Sequence, residues 1–103
     1  MPFDPDHRAL ADGPPRAATV ALALADAWRP GAGLSGPDGR ELDVEALRGL
    51  AAVGSTGERT MAAVVLSLWG EGTVELARLD ALDPPSRELV ADAMVALAGF
   101  RPG

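Results

Sequence analysis

The stretch GSTGERTMAAVVLSLW, residues 54–69, contains the clearest helix signal in the chain. Ser55 and Glu58 have the S-x-x-E spacing of a capping box, in which the serine oxygen accepts from the third helical amide and the glutamate accepts from the serine N–H. Apolar residues then recur at the i, i+3, i+4, i+7 spacing of one helical face: Met61, Val64, Val65 and Leu68. The stretch therefore predicts a helix that begins after Ser55 and ends near Trp69.

The glycines at 54 and 57 allow a second interpretation of the same stretch, as a phosphate or anion cradle at a helix N-terminus. The chain has no lysine and lacks the G-x-x-x-x-G-K-[ST] spacing, so the stretch is not a P-loop. Amides that a capping box occupies do not also bind a phosphate. We expect capping at Ser55 and Glu58, with anion binding between Gly54 and Glu58 as the alternative.

Two further helical patterns precede this stretch. Residues 15–28 are apolar nearly all round, which is typical of a central helix. Pro30 ends this helix, because proline disfavours helical backbone in the residue before it. Asp43 has the position of an N-cap for a second helix, which ends at Gly54. The apolar face of that second helix contains Val44, Leu47 and Leu50.

The residues after position 70 predict a short element and a last helix. Residues 73–82 fit either a short helix or, around Val74, a brief strand, because so few residues show no clear period. Asp83 stands before two prolines and is predicted to cap a helix over about 85–98, followed by Gly99. The apolar face of this helix is predicted to contain Leu89, Ala93, Leu97 and Phe100.

Residues 30–41, PGAGLSGPDGRE, form a segment rich in glycine and proline. Four glycines and two prolines offer few side chains for burial, so ordering this backbone would cost conformational entropy without compensation. The segment is predicted to be a flexible loop. We interpret it as a plain linker, with a mobile lid or binding loop as the alternative.

Together these patterns predict an all-α fold, a compact bundle of four or five short helices in a single domain over residues 1–103. A chain of this length supports one core and buries roughly 65% of the surface that it exposes when unfolded. Because 48% of the residues are hydrophobic but only two are Trp and two are Phe, the core is expected to consist mostly of Leu, Val and Ala. Residues 4–13 are predicted to add a short helix or turn with His7 exposed.

The formal net charge is −6, from nine Arg against fifteen Asp and Glu. Surfaces that bind nucleic acid need clustered basic residues, and the sequence shows no such cluster. Residues 43–69 nevertheless have the spacing of a helix-turn-helix unit, so a small DNA-associated transcriptional regulator is the alternative function. The second helix of that unit is mostly apolar, and few side chains besides Arg59 would reach base edges. We expect no nucleic-acid partner.

The residue types that the chain lacks exclude much catalytic chemistry. There is no Cys, Lys, Tyr, Asn or Gln and only one His, which removes thiol, Schiff-base and amide-donor chemistry and most soft metal sites. Asp80 and Asp83 have a D-x-x-D spacing that suits paired carboxylates or a hard cation, but no further ligands are indicated, and capping or solvation is the preferred interpretation. We predict no catalytic residue, cofactor or metal. A minimal enzyme that uses Asp80, Asp83 or Glu58 is the third possibility.

The chain shows no sign of secretion or membrane insertion. The first residues carry acids and prolines where a signal peptide would be apolar, and the longest apolar stretches are shorter than the ~20 residues of a membrane span. We expect a cytoplasmic protein without a membrane partner. The missing Lys, Ile, Asn and Tyr all have AT-rich codons, which indicates a GC-rich bacterial or phage genome.

We therefore expect a small acidic protein-interaction module, such as an adaptor, accessory subunit or inhibitor, whose partner is another protein or a second copy of the chain. Trp and Arg are frequent at the centres of interfaces. Trp28 follows an apolar helix and is predicted to be core. Trp69 stands beside Gly70, where cover is thin, and with Phe100 or Arg59 nearby it is predicted to be partly exposed and to anchor the partner. The alternative is that Trp69 only closes the end of the core.

Overall fold

The structure, a computed structural model, describes residues 16–98. Within this range the chain forms four α-helices, one 3-10 helix and no strand. The elements are α1 Arg16–Trp28, α2 Val44–Val53, α3 Thr56–Trp69, the 3-10 helix Leu76–Ala81 and α4 Pro84–Ala98. They pack into one compact body around a single hydrophobic core. The predicted all-α bundle of short helices is confirmed.

The starts of three helices are fixed by local hydrogen bonds that the sequence predicts. At α3 the Glu58 N–H donates to Ser55 Oγ at 3.2 Å and the Ser55 N–H donates to Glu58 Oε1 at 2.9 Å, which completes the capping box. Asp43 accepts from the backbone N–H of residue 46 at 3.1 Å, and Asp83 accepts from the N–H of residue 86 at 3.1 Å. Each cap satisfies amides that have no partner inside their helix.

The end of α3 is also defined by backbone hydrogen bonds. Gly70 has a φ of +102°, a conformation that favours glycine, and its N–H donates to the carbonyl of Ser67 at 3.1 Å. The Glu71 N–H reaches back to the carbonyl of Leu66 at 2.8 Å. This pair of bonds is the Schellman motif, and it turns the chain away from the helix axis directly after Trp69.

The most deeply buried helix is α3, not α1 as the sequence predicts. Helix α3 packs against α1, α2 and the 3-10 helix, so it is covered on most of its circumference. Its buried residues are Thr60, Met61, Ala62, Val64, Val65 and Leu66. Helix α1 packs against α3 and α4 and leaves a third face in water that includes Ala23 and Ala27. Alanines made α1 apolar all round, but an exposed alanine presents little apolar area and does not require burial.

The segment 30–41 is docked onto the bundle, which corrects the expectation that its side chains have nothing to bury. Leu34 and Ser35 are both buried, and Leu34 belongs to the core. The Ser35 hydroxyl donates to the carboxylate of Asp26 on α1, with 2.8 Å to the nearer oxygen. The Asp43 N–H donates to the Leu34 carbonyl at 2.7 Å. The burial of Leu34 and two tertiary hydrogen bonds thus offset the conformational entropy that the glycine-rich backbone loses when it is ordered.

Two smaller predictions are revised. Trp28 is half-buried and packs against the core from its edge, so it is not the core residue that the sequence predicts. Its position at the last residue of α1 leaves one side of the indole in solvent.

The segment after α3 is neither an α-helix nor a strand but a 3-10 helix, Leu76–Ala81.

The last helix buries the predicted face, with Val90 and Ala93 fully covered and Leu89 and Leu97 packed at the margin of the core. The predicted element over residues 4–13 with His7, and the positions of Gly99 and Phe100, lie outside the described residues. Among residues 16–98, no helix combines the length and the apolar character that a transmembrane span requires.

Candidate functional site

Two of the three predicted contact residues, Arg59 and Trp69, lie near opposite ends of α3. Arg59 lies in the first turns of α3 and Trp69 at its last residue. A rise of 1.5 Å per residue therefore separates them by about 15 Å along the axis. Phe100 lies outside the described residues. Trp69 is half-buried against the core, and Arg59 is exposed. A partner contact at Trp69, with Arg59 or Phe100, stays a prediction.

Helix α3 offers little surface for reading DNA. Thr56 and Arg59 are its exposed residues, and from Thr60 to Trp69 every residue is buried or half-buried. A recognition helix needs an outward face of polar side chains that enters the major groove. The burial of α3 between its neighbours thus argues against the alternative function as a DNA-associated regulator.

A polar cleft of about 240 Å³ lies where α3 and α4 begin. Its lining consists of Trp28, Ser55, Gly57, Glu58, Ala81, Asp83 and Ser86. Arg29 closes one side, because its guanidinium lies 5.2 Å from the ring centre of Trp28 and donates to Glu58 Oε2 at 3.2 Å. The cleft joins the end of α1 to the start of α3.

Both carboxylates in the cleft are held in the ionised form. The backbone N–H of Ser55, and then the Arg29 side chain, lower the pKa of Glu58 below its ordinary value. Hydrogen bonds from the side chain and the backbone of Ser86 lower the pKa of Asp83. General acid and base catalysis by two carboxylates requires pKa values that are pushed apart, and here both move down. The contacts of the cleft therefore join α1 to α3 and cap two helices. Ser55 and Asp83 accept hydrogen bonds from the backbone amides at the helix starts, so these amides are not available to an anion.

No group of three or more potential metal ligands is found within residues 16–98. Asp80 and Asp83, the predicted D-x-x-D pair, are both exposed, and Asp83 is used as a helix cap. A hard cation needs six or more oxygen ligands, of which this pair would supply a minority.

A different surface, which the sequence analysis missed, has the features of a binding site. An apolar groove of about 250 Å³ runs between the 3-10 helix and α4, and we call it the outer groove. Its lining consists of Leu79, Leu82, Arg87, Val90, Ala91 and Met94. Leu76 begins the same 3-10 helix, one turn before Leu79, and is not part of the lining.

Large apolar side chains in and near the outer groove are exposed to solvent. Leu76 is 74% exposed on the 3-10 helix, and Met94 and Val95 are 38% and 43% exposed on α4. On α4 the exposed apolar residues have the i, i+3, i+4, i+7 spacing of a second helical face: Ala91, Met94, Val95 and Ala98. Helix α4 therefore has one apolar face in the core and another in water.

The base of the outer groove is rigid. Leu82 and Val90, which line the outer groove from the 3-10 helix side and from α4, are both buried in the core. The Arg87 Nε donates to the carbonyl of Leu82 at 2.9 Å, which ties the end of the 3-10 helix to the first turns of α4. This hydrogen bond joins the two elements at the base of the groove.

A second apolar groove, of about 330 Å³, lies between α1 and α4. Its lining consists of Thr19, Val20, Ala23, Leu24, Ala27, Leu89, Asp92, Ala93 and Ala96. Its exposed rim includes Ala23, Ala27 and Ala96, whereas the outer groove has a large flexible apolar side chain, Met94, exposed to solvent. The outer groove is the stronger candidate.

The sequence contains part of the signal for the outer groove. Leu76, Leu79 and Leu82 recur every third residue, and Met94 follows Ala91 at i+3. The sequence analysis predicts the face of α4 that contains Leu89, Ala93 and Leu97, which packs in or against the core, but not the second, exposed face. Comparison of the chain with family models, with curated proteins and with solved structures finds no match.

Proposed function

We propose that this chain is a small protein-interaction module that binds another protein through the outer groove. The observation that supports the proposal is the exposure of Met94 in the outer groove, together with that of Leu76 on the neighbouring 3-10 helix. Contiguous apolar surface in water is unfavourable, and on soluble domains it marks a site that a partner covers. Single exposed side chains such as Val53, 84% exposed at the end of α2, need no such explanation.

The chemistry of the groove favours binding over catalysis. Arg87 is the charged residue among its lining, and the side-chain Nε of that residue is already bonded to the Leu82 carbonyl. Catalysis by side chains needs a nucleophile or a base within hydrogen-bond reach of a bound substrate. An adaptor, accessory subunit or inhibitor needs only a complementary surface.

Pre-organisation supports the same function. Association costs less when the binding surface is already ordered, because fewer side chains and loops lose freedom on binding. Leu79, Leu82 and Val90 pack against or within the core, so only the outermost side chains of the groove would be newly ordered by a partner.

The test is affinity purification from cells that naturally encode the chain, with three variants compared with the wild type. Met94→Asp places a charge in the groove, and Leu76→Asp places one on the exposed face of the 3-10 helix beside it. Val53→Asp introduces the same charge on an exposed apolar position of α2 and serves as the matched control. We expect one protein at fixed stoichiometry with the wild type and with Val53→Asp, and its loss with both groove variants. Retention of that protein by Leu76→Asp and Met94→Asp would place the interface elsewhere.

A further inference from the structure

We propose that α4 detaches from the bundle as one unit while α1, α2 and α3 stay folded. The two outer helices of the bundle are α2, which packs against α3, and α4, which packs against α1. Small domains open locally in cooperative units, and the stability of each unit depends on the apolar contacts and hydrogen bonds that hold it in place. These attachments are weaker for α4 than for α2.

The apolar attachment of the two outer helices differs in the length of helix that it has to hold. Each helix places two Leu, one Val and one Ala in or against the core: Val44, Leu47, Leu50 and Ala51 on α2, and Leu89, Val90, Ala93 and Leu97 on α4. With these four side chains α2 orders ten residues, whereas α4 orders fifteen. Because each ordered residue loses conformational entropy, the balance is less favourable for α4.

The polar attachment of α2 is also the stronger one. Arg48 on α2 pairs with Glu71, which follows the end of α3, at 2.6 Å. The backbone just before α2 is tied to the docked segment 30–41, because the Asp43 N–H donates to the Leu34 carbonyl at 2.7 Å. Helix α2 is thus connected to other elements at its start and along its length.

Helix α4 has a natural hinge at its start. The N-cap Asp83 accepts from backbone N–H groups in the first turn of α4, so it belongs to the helix, whereas Leu82 is buried in the core. The Arg87 Nε donates to the Leu82 carbonyl at 2.9 Å across this joint. Near the other end of α4, the Arg16 guanidinium donates to the Leu97 carbonyl at 3.4 Å in an exposed position. The hinge therefore lies between Leu82 and Asp83.

Apolar grooves of about 330 and 250 Å³ run along α4, one beside α1 and the other, the outer groove, beside the 3-10 helix. The fully covered side chains of α4 are Ala93, which borders the first groove, and Val90, which borders the second. The strip that holds α4 is therefore narrow. A helix of about fifteen residues is marginal on its own in water, so detachment also unfolds α4 and frees its amides to exchange.

The opening of α4 determines whether the outer groove exists. Four of the six residues that line the groove lie on α4: Arg87, Val90, Ala91 and Met94. The groove is therefore present only in the closed form that the structure describes. A partner bound there would stabilise the closed form. That consequence rests on the proposed function, whereas the opening itself does not.

The experiment is amide hydrogen exchange of the full chain, followed residue by residue by NMR at a series of low urea concentrations. Leu89→Ala on α4 and Leu50→Ala on α2 are a matched pair, because both leucines are half-buried at the margin of the core. Unfolding of the whole bundle includes the opening of α4, but the opening of α4 does not include the unfolding of α2. Circular dichroism establishes that each variant is folded, and the wild-type rates test the opening without any variant.

In the wild type we expect the amides of α4 to share one urea-dependent opening and, relative to unfolded peptides, to exchange about tenfold faster than the slowest amides of α3. Leu50→Ala should accelerate exchange in α3 and leave α4 unchanged, whereas Leu89→Ala should accelerate both. Equal acceleration of α3 and α4 by Leu50→Ala would show that α4 opens only with the whole bundle. Exchange that rises steadily toward Ala98 and does not respond to urea would show fraying of the helix end. Either of these two results would overturn the proposal.

Discussion

Single residues at the helix starts determine where helices of this bundle begin. Ser55 provides an oxygen for an amide that would otherwise be without a partner at the start of α3. We expect Ser55→Ala to lower the free energy of unfolding by about 1 kcal/mol. Ser67→Ala, the same substitution within α3, should leave stability unchanged or slightly higher because alanine favours helix. Urea denaturation of both variants measures the difference, and equal midpoints would contradict the cap.

Glu58 links stability to pH. Its folded-state pKa is depressed by the Ser55 N–H and by Arg29, whereas its ordinary value is 4.5. The stabilisation is therefore fully present above pH 4.5 and is lost as the pH falls through the lower folded-state pKa. We expect the melting temperature of Glu58→Gln to fall less between pH 6 and pH 3 than that of the wild type.

Glu41→Gln is the control for this pH dependence, because Glu41 is exposed and makes no hydrogen bond or ion pair with the described residues. Its melting temperature should follow the wild-type curve. If Glu58→Gln and Glu41→Gln give the same curve, the capping box and the Arg29 pair do not contribute to acid sensitivity.

At the scale of elements, the segment 30–41 is the clearest case of tertiary structure overriding composition. Leu34 is 4% exposed and packs in the core, whereas Leu76 on the 3-10 helix is 74% exposed. Leu34→Ala should therefore lower the free energy of unfolding by roughly 2 to 3 kcal/mol. Leu76→Ala removes the same atoms from a solvated site and should change it by less than about 0.5 kcal/mol. Chemical denaturation compares the two, and a neutral Leu34→Ala would show that the segment is not docked in solution.

The elements also show where sequence reasoning succeeds and where it stops. Ser55, Asp43 and Asp83 were predicted as caps because each acts on an amide within its own next turn, so no distant residue is needed to specify it. The burial of Leu34 depends on Asp26 and Ser35 meeting across two elements, which no local pattern encodes.

At the scale of the whole molecule, one apolar face of α4 has no neighbour among residues 16–98. The packing of α4 against α1 is a tertiary contact, and in the bundle Val90 is buried whereas Met94 is 38% exposed. Candidate surfaces of this kind are the helical faces that stay exposed after the helices have packed together.

The central claim, that a protein covers the outer groove, is tested most directly by oxidative footprinting of the methionines. Met94 is 38% exposed in the free chain, while Met61 is 1% exposed and serves as the internal reference for folding. The chain is treated with hydrogen peroxide in buffer, in protein extract from cells that encode it, and in the same extract after heat denaturation. A free methionine peptide calibrates the dose of oxidant. We predict that Met94 oxidises readily in buffer and in heated extract and is protected severalfold in native extract, with Met61 protected throughout. An equal oxidation rate of Met94 in buffer and in native extract would contradict the claim.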